Sequence, residues 1–175
     1  MRRILSATIL LGVLAPAPAQ ATAQMGDILI YNGEKLEIFS NPLEAWFGAE
    51  HPRPEDLSDA SCSANWRGYV ATWEIRDRAL WLVRLQEGTC DVDAPEIPLD
   101  RVFPGEKGPI RATWYTGVLI APRGKLLEYV HMGYESRYEK ELRIEIQAGE
   151  VKGERTVENG PTPPPPPEPP PAPKP

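Results

Sequence analysis

Histidine is scarce in this chain, limited to His51 and His131, and its only cysteines are Cys62 and Cys90. No H-E-x-x-H, G-x-S-x-G, phosphate-loop or G-x-G-x-x-G pattern occurs, so zinc-protease, serine-hydrolase and nucleotide-binding readings lack their usual anchors. Nothing in the pattern implies a cofactor or a metal. Asp91, Asp93 and Glu96 are close in sequence, but without the glycine and distal glutamate of an EF-hand they read as a solvated acidic loop. Helical periodicity sustained over three turns is missing too, which leaves strands and loops to build the fold. The apolar run Ile4 to Leu14 is too short to span a bilayer.

That run has another reading. Arg2-Arg3 precedes it, and small residues follow it, ending in Ala19-Gln20-Ala21 and Ala21-Thr22-Ala23. Residues 1–23 therefore read as a secretory signal peptide, which makes the mature chain periplasmic or secreted, with no stable membrane insertion after cleavage. Without Arg2 and Arg3, 17 basic side chains face 25 acidic ones, a net charge of about −8. Such a surface disfavours nucleic acid and anionic lipid, which need clustered Lys and Arg. At the other end, 160–175 forms a tail in which Pro161 to Pro175 holds eleven prolines in fifteen residues. A segment with so few backbone donors and so little to bury reads as an extended, disordered polyproline II spacer or ligand. Between the two lies a single domain, 25–159, large enough to bury a core.

Aromatic and β-branched residues set the pattern of that domain. Asn32-Gly33 between two apolar runs predicts a hairpin that pairs Leu29 with Leu36 and Tyr31 with Glu34. Ser40 to Gly48 breaks the period and reads as a turn followed by one helical turn that packs Leu43, Trp46 and Phe47 over the sheet. The central hairpin is Trp66 to Leu85, with three of the five tryptophans. A three-residue loop, Arg76 to Arg78, pairs Tyr69 with Leu85, Ala71 with Val83, Trp73 with Trp81 and Ile75 with Ala79, and so gives one wholly apolar face. Extended to the open end, that register makes Cys62 and Cys90 diagonal neighbours, and in an oxidising compartment they pair as a disulfide. Further strands are expected at Ala112 to Ile120, Lys125 to Met132 after a Pro122-Arg123-Gly124 turn, Tyr138 to Gln147, and Val151 to Val157. About eight strands joined mostly by hairpins predict an all-β, antiparallel β-sandwich or small barrel.

Three strings, Cys62 to Ile75 (CSANWRGYVATWEI), Trp114 to Ile120, and Pro122 to Tyr138 (PRGKLLEYVHMGYESRY), resemble an uncharacterised family of small bacterial proteins. In that family a Trp-Arg-Gly-Tyr strand is followed by a Gly-Lys-Leu-Leu-x-Tyr-Val-His-Met-Gly-Tyr segment. The resemblance covers about Met25 to Val157 and implies the domain boundaries, but no activity. Arg78 departs from what the hairpin loop leads one to expect, a glycine or asparagine that tolerates φ > 0.

Two constellations could carry function. Glu128, His131 and Glu135 offer a general base and two carboxylates, the equipment of an envelope hydrolase acting on cell-wall glycan or peptide, provided they converge in a pocket. Trp66 and Arg67 at the hairpin's open end, with Tyr134 and Arg137, are the candidate binding residues, because exposed aromatics stack on sugars or peptides. The sequence favours a non-catalytic exported binding or accessory protein of the cell envelope, with a protein or cell-wall partner; the hydrolase is the alternative.

Overall fold

The computed structural model describes residues 23–58, 62–91 and 93–161. All but the last residue of the expected leader lies outside them, as does the proline-rich tail beyond Pro161. Eight strands form one sheet: β1 (Asp27–Tyr31), β2 (Glu34–Ile38), β3 (Tyr69–Arg76), β4 (Ala79–Glu87), β5 (Ile110–Arg111), β6 (Gly117–Glu128), β7 (Arg137–Gln147) and β8 (Glu150–Glu158). Their order is β2-β1-β3-β4-β8-β7-β6, with β5 off this path and paired to β4. The fold is all-β as expected, and the strand count agrees.

The sheet is not a closed barrel. It narrows at β4–β8, where Ala79↔Glu150 is the only register pair, and its two halves fold over a shared core that includes Leu29, Ile38, Trp73, Leu82, Leu119 and Ile144. The outer edges meet where Phe39 N donates to Ile120 O at 2.7 Å. Nor is the sheet wholly antiparallel. After the first hairpin the chain makes a long excursion before β3, and that crossover lets β3 lie parallel to β1. Among the described residues no helix is long and apolar enough to cross a membrane; Pro42–Ala45, Glu55–Ser58 and Leu99–Arg101 are single 3₁₀ turns.

The Asn32-Gly33 hairpin has the expected register, Leu29↔Leu36 and Tyr31↔Glu34. The central hairpin does not. Its loop is the two residues Asp77-Arg78, both left-handed at φ 50° and 56°, and it pairs Arg76 with Ala79, Ile75 with Leu80 and Trp73 with Leu82. A shift between Thr72 and Trp73 then leaves Val83 as an extra residue and pairs Ala71 with Leu85. Either straight register spoils an apolar face or needs a longer loop, and one bulge resolves the conflict. Leu80, Leu82 and Leu85 all become buried, whereas Trp81 is turned out of the expected pairing with Trp73 and lies under the Arg76 guanidinium at 4.5 Å.

The expected turn at Pro122-Arg123-Gly124 is instead an irregularity inside β6, a strand of 12 residues. Because β6 is an outer strand, Pro122 removes no ladder donor that an inner strand would need. Gly124 takes φ 79°, and the Glu139 carboxylate accepts from Lys125 N at 3.0 Å. Ala112 to Thr116, expected as strand, is a loop tucked against β4 and the turn between β7 and β8 through Ala112 N to Leu80 O and Gly149 N to Tyr115 O, each 2.9 Å.

Cys62 and Cys90 are joined by a disulfide with Cα atoms 6.1 Å apart. The ladder stops at Tyr69↔Glu87, and beyond it the cross-link holds the hairpin's open end together with Gly88 N, which donates to Gly68 O at 2.9 Å. A Cβ on Gly88 would stand 2.8 Å from the Gly68 backbone and the Asn65 side chain. Closure of the 28-residue separation should stabilise the fold by about 3 to 4 kcal/mol through loop entropy.

Candidate functional site

Arg67 and Tyr134, far apart in sequence, are brought together in the structure. Arg67 follows the turn closed by Cys62 and Asn65, and Gly68 at φ 80° redirects the chain into β3. The Arg67 side chain thereby points inward, where its Nη1 donates to the Tyr134 hydroxyl. Its Nη2 donates to Met25 O at 3.0 Å and to Asp27 Oδ1 at 3.3 Å. Asp27 is fully buried and also accepts from Ala71 N at 3.2 Å and Trp73 Nε1 at 3.0 Å. The Tyr134 hydroxyl has its proton shared between two acceptors, Met25 O at 3.0 Å and Asn41 Oδ1 at 2.9 Å, and its ring stacks on Phe39 at 5.1 Å. Tyr69 continues the network outward: its ring lies 5.5 Å from the Arg67 guanidinium, and its hydroxyl donates to Glu44 Oε1 at 2.6 Å. Glu44 is paired with Arg53 at 2.7 Å.

Burial pushes the Asp27 carboxyl up to about 6, and it outweighs the opposing pull of Arg67 and of the Trp73 and Ala71 donors. Burial likewise raises the Tyr69 and Tyr134 hydroxyls above their ordinary value, so both stay protonated at neutral pH. With Arg67 and Asp27 enclosed, this assembly is a clamp that ties the N-terminus, the 41–53 segment and the loop after β6 to the hairpin.

A pH dependence arises here. Asp27 titrates at about 6 in the folded chain against 3.8 for the ordinary carboxyl. Its protonation therefore adds stability that is complete below about pH 3.8 and is lost as pH rises through about 6, an amount of about 3 kcal/mol. Urea titrations of the wild type and Asp27→Asn should show their difference in unfolding free energy shifting in that direction between pH 4 and pH 7. A pH-independent difference would refute it.

The clamp supports a surface. Trp66, beside Arg67, is 73% exposed, and its backbone N–H donates to Gln24 Oε1 at 3.3 Å. Gln24 N in turn donates to Gly133 O at 3.0 Å. Gln24 thus links the Trp66 backbone to Gly133 of the 129–134 loop, where Tyr129 and Met132 are also exposed.

The catalytic candidates are placed differently. Glu128 is paired with Arg137 at 3.3 Å, and Arg137 also donates to Gly160 O at 3.1 Å. His131 is exposed, with its ring 4.6 Å from Tyr129 and edge-on to it. Glu135 is exposed. Among the described residues no hydrogen bond or ion pair joins Glu128, His131 and Glu135 to one another. Ser136 closes the loop instead, accepting from Val130 N at 3.1 Å.

Sequence reasoning picked out Arg67 and Tyr134 but missed Asp27, Asn41 and Glu44. Asp27 is the first residue of an apolar strand, and nothing local distinguishes a buried counter-ion there from an ordinary strand-end polar residue. No family model, curated protein or solved structure matches this chain.

Proposed function

We propose that this chain is a non-catalytic exported binding protein of the cell envelope, and that it holds a protein or cell-wall partner through the ledge formed by Trp66, Tyr129 and Met132. The observation that carries the reading is the contrast between Trp66, 73% exposed, and Arg67 next to it, buried and held from several sides. Large exposed aromatics on a rigid support are what interface hot spots are made of, because little side-chain entropy is lost when they are covered. The disulfide and the leader-like N-terminus support export.

Trp66→Ala removes a side chain that contributes almost nothing to the core. Its melting temperature should stay within about 1 °C of wild type. In affinity capture from cell-envelope extract, the species held by the wild type should fall at least about tenfold with Trp66→Ala, as expected for a hot-spot residue. Equal capture by both proteins would sink the proposal.

A further inference from the structure

A second feature lies apart from the Trp66 ledge. Trp46, Phe103 and Trp114 pack around one another with ring centroids 4.9 to 5.2 Å apart. They line a hollow of about 410 Å³ with Glu106, Pro109 and Arg111 at its rim. Trp114 is oriented by its Nε1, which donates to Pro42 O at 3.1 Å, and the His51 ring stacks on Trp46 at 3.5 Å. A neighbouring hollow of about 230 Å³ shares Glu106 and Pro109, so the two depressions adjoin. Aromatic-lined grooves suit polyproline II segments, whose rigid rings pack on indole and phenyl faces at small entropic cost.

We propose that this groove is the docking site of the chain's own proline-rich segment, residues 162–175. Reach permits it. Arg111 at the rim bonds Glu150 at 3.2 Å, so the groove opens beside the start of β8, whereas the segment departs just beyond the end of that strand. The run from Glu158 back to Glu150 is about 26 Å at roughly 3.3 Å per strand residue. Residues 162–175 span about 43 Å as polyproline II. The segment is therefore longer than the run back to the groove, and docking would bring its last few residues, Pro171-Ala172-Pro173-Lys174-Pro175, to the rings. Charge agrees: Lys174 is the segment's only basic residue, and the Glu106 carboxylate at the rim has no hydrogen-bond or ion-pair partner among the described residues.

The test uses the full-length chain with the photoreactive p-benzoylphenylalanine at position 172. Irradiation and peptide mapping should give crosslinks within one chain to residues 42–51 or 103–114, in a yield unchanged by dilution. Glu106→Lys should lower that yield at least fivefold without moving the melting temperature, and adding Lys174→Glu should restore it. Crosslinks scattered elsewhere, or none in those segments, would overturn the proposal and leave the groove to another protein. A yield that falls on dilution would seat the segment on a second copy and overturn it equally, as would indifference to Glu106→Lys.

Discussion

Asp27→Ala should lower the unfolding free energy by about 3 to 5 kcal/mol, the cost of leaving a buried charge without its partner. In the wild type one carboxylate accepts from Arg67, Ala71 and Trp73, and no solvent reaches it. Alanine leaves these donors without that acceptor and Arg67 without its counter-charge. Arg67 Nη2 keeps Met25 O, and Nη1 keeps the Tyr134 hydroxyl, so the arginine is left hydrogen-bonded but not neutralised. The rival explanation of any loss is simple cavity formation, and a double-mutant cycle separates the two. Asp27→Leu combined with Arg67→Met removes both charges and fills the space, so it should recover most of the stability lost in Asp27→Leu alone, because buried ion pairs are often no better than apolar pairs of equal volume. Urea unfolding with the disulfide intact gives all four values. Additive losses would mean that Asp27 and Arg67 do not act as a pair.

Much of the strand framework is legible from residue pattern alone, and the reasons differ from element to element. Asn32-Gly33 fixes the first hairpin because only that dipeptide offers two positions tolerant of positive φ between apolar runs. Leu142, Ile144 and Ile146 alternate with Glu141, Arg143 and Glu145, so β7 can face only one way; Ile144 and Ile146 are indeed buried. The central hairpin is harder because its pattern is the product of two local choices. Asp77 and Arg78 adopt left-handed backbone without glycine's help, and the bulge at Val83 then restores the phase that the short loop would have lost. Each choice looks unfavourable alone, and only their combination buries Tyr69, Ala71, Trp73, Leu82 and Leu85 together. Similarly, Pro122 reads as a breaker until it is known that β6 lies at the sheet's edge, which is a property of the topology rather than of the segment.

The candidate site follows the same division. Trp66 and Arg67 stand out because an aromatic and a cation adjoin at the mouth of a hairpin, and Tyr134 because it sits in a polar loop. Their partners come from Met25, Asp27 and Asn41, which precede the hairpin and lie just before β1, at its first residue and in the turn after β2. Parallel pairing of β1 with β3 is what carries Asp27 to Ala71 and Trp73, and that pairing leaves no mark in local periodicity.

Trp73→Ala tests the junction of core and clamp, and it should cost about 3 to 5 kcal/mol, a large share of the 5 to 15 kcal/mol available to a domain of this size. Trp73 is fully buried, packed in the core shared by both halves of the sheet, and it donates its indole N–H to Asp27 Oδ2 at 3.0 Å. Truncation therefore opens a cavity and removes one of the carboxylate's donors in a single step. Trp73→Phe divides the two effects: it keeps much of the ring and loses the donor, so it should cost about 1 to 3 kcal/mol, the range for a buried polar group deprived of its bond. Both substitutions should also change the pH response. With the indole donor gone, the ionised form of Asp27 loses a stabilising hydrogen bond, so its titration should move upward from about 6 in both variants. Calorimetry across pH 4 to 8 reads both quantities. If Trp73→Phe proves as costly as Trp73→Ala, the hydrogen bond to Asp27 matters more than the packing of the ring; if it is neutral, the clamp holds without the indole.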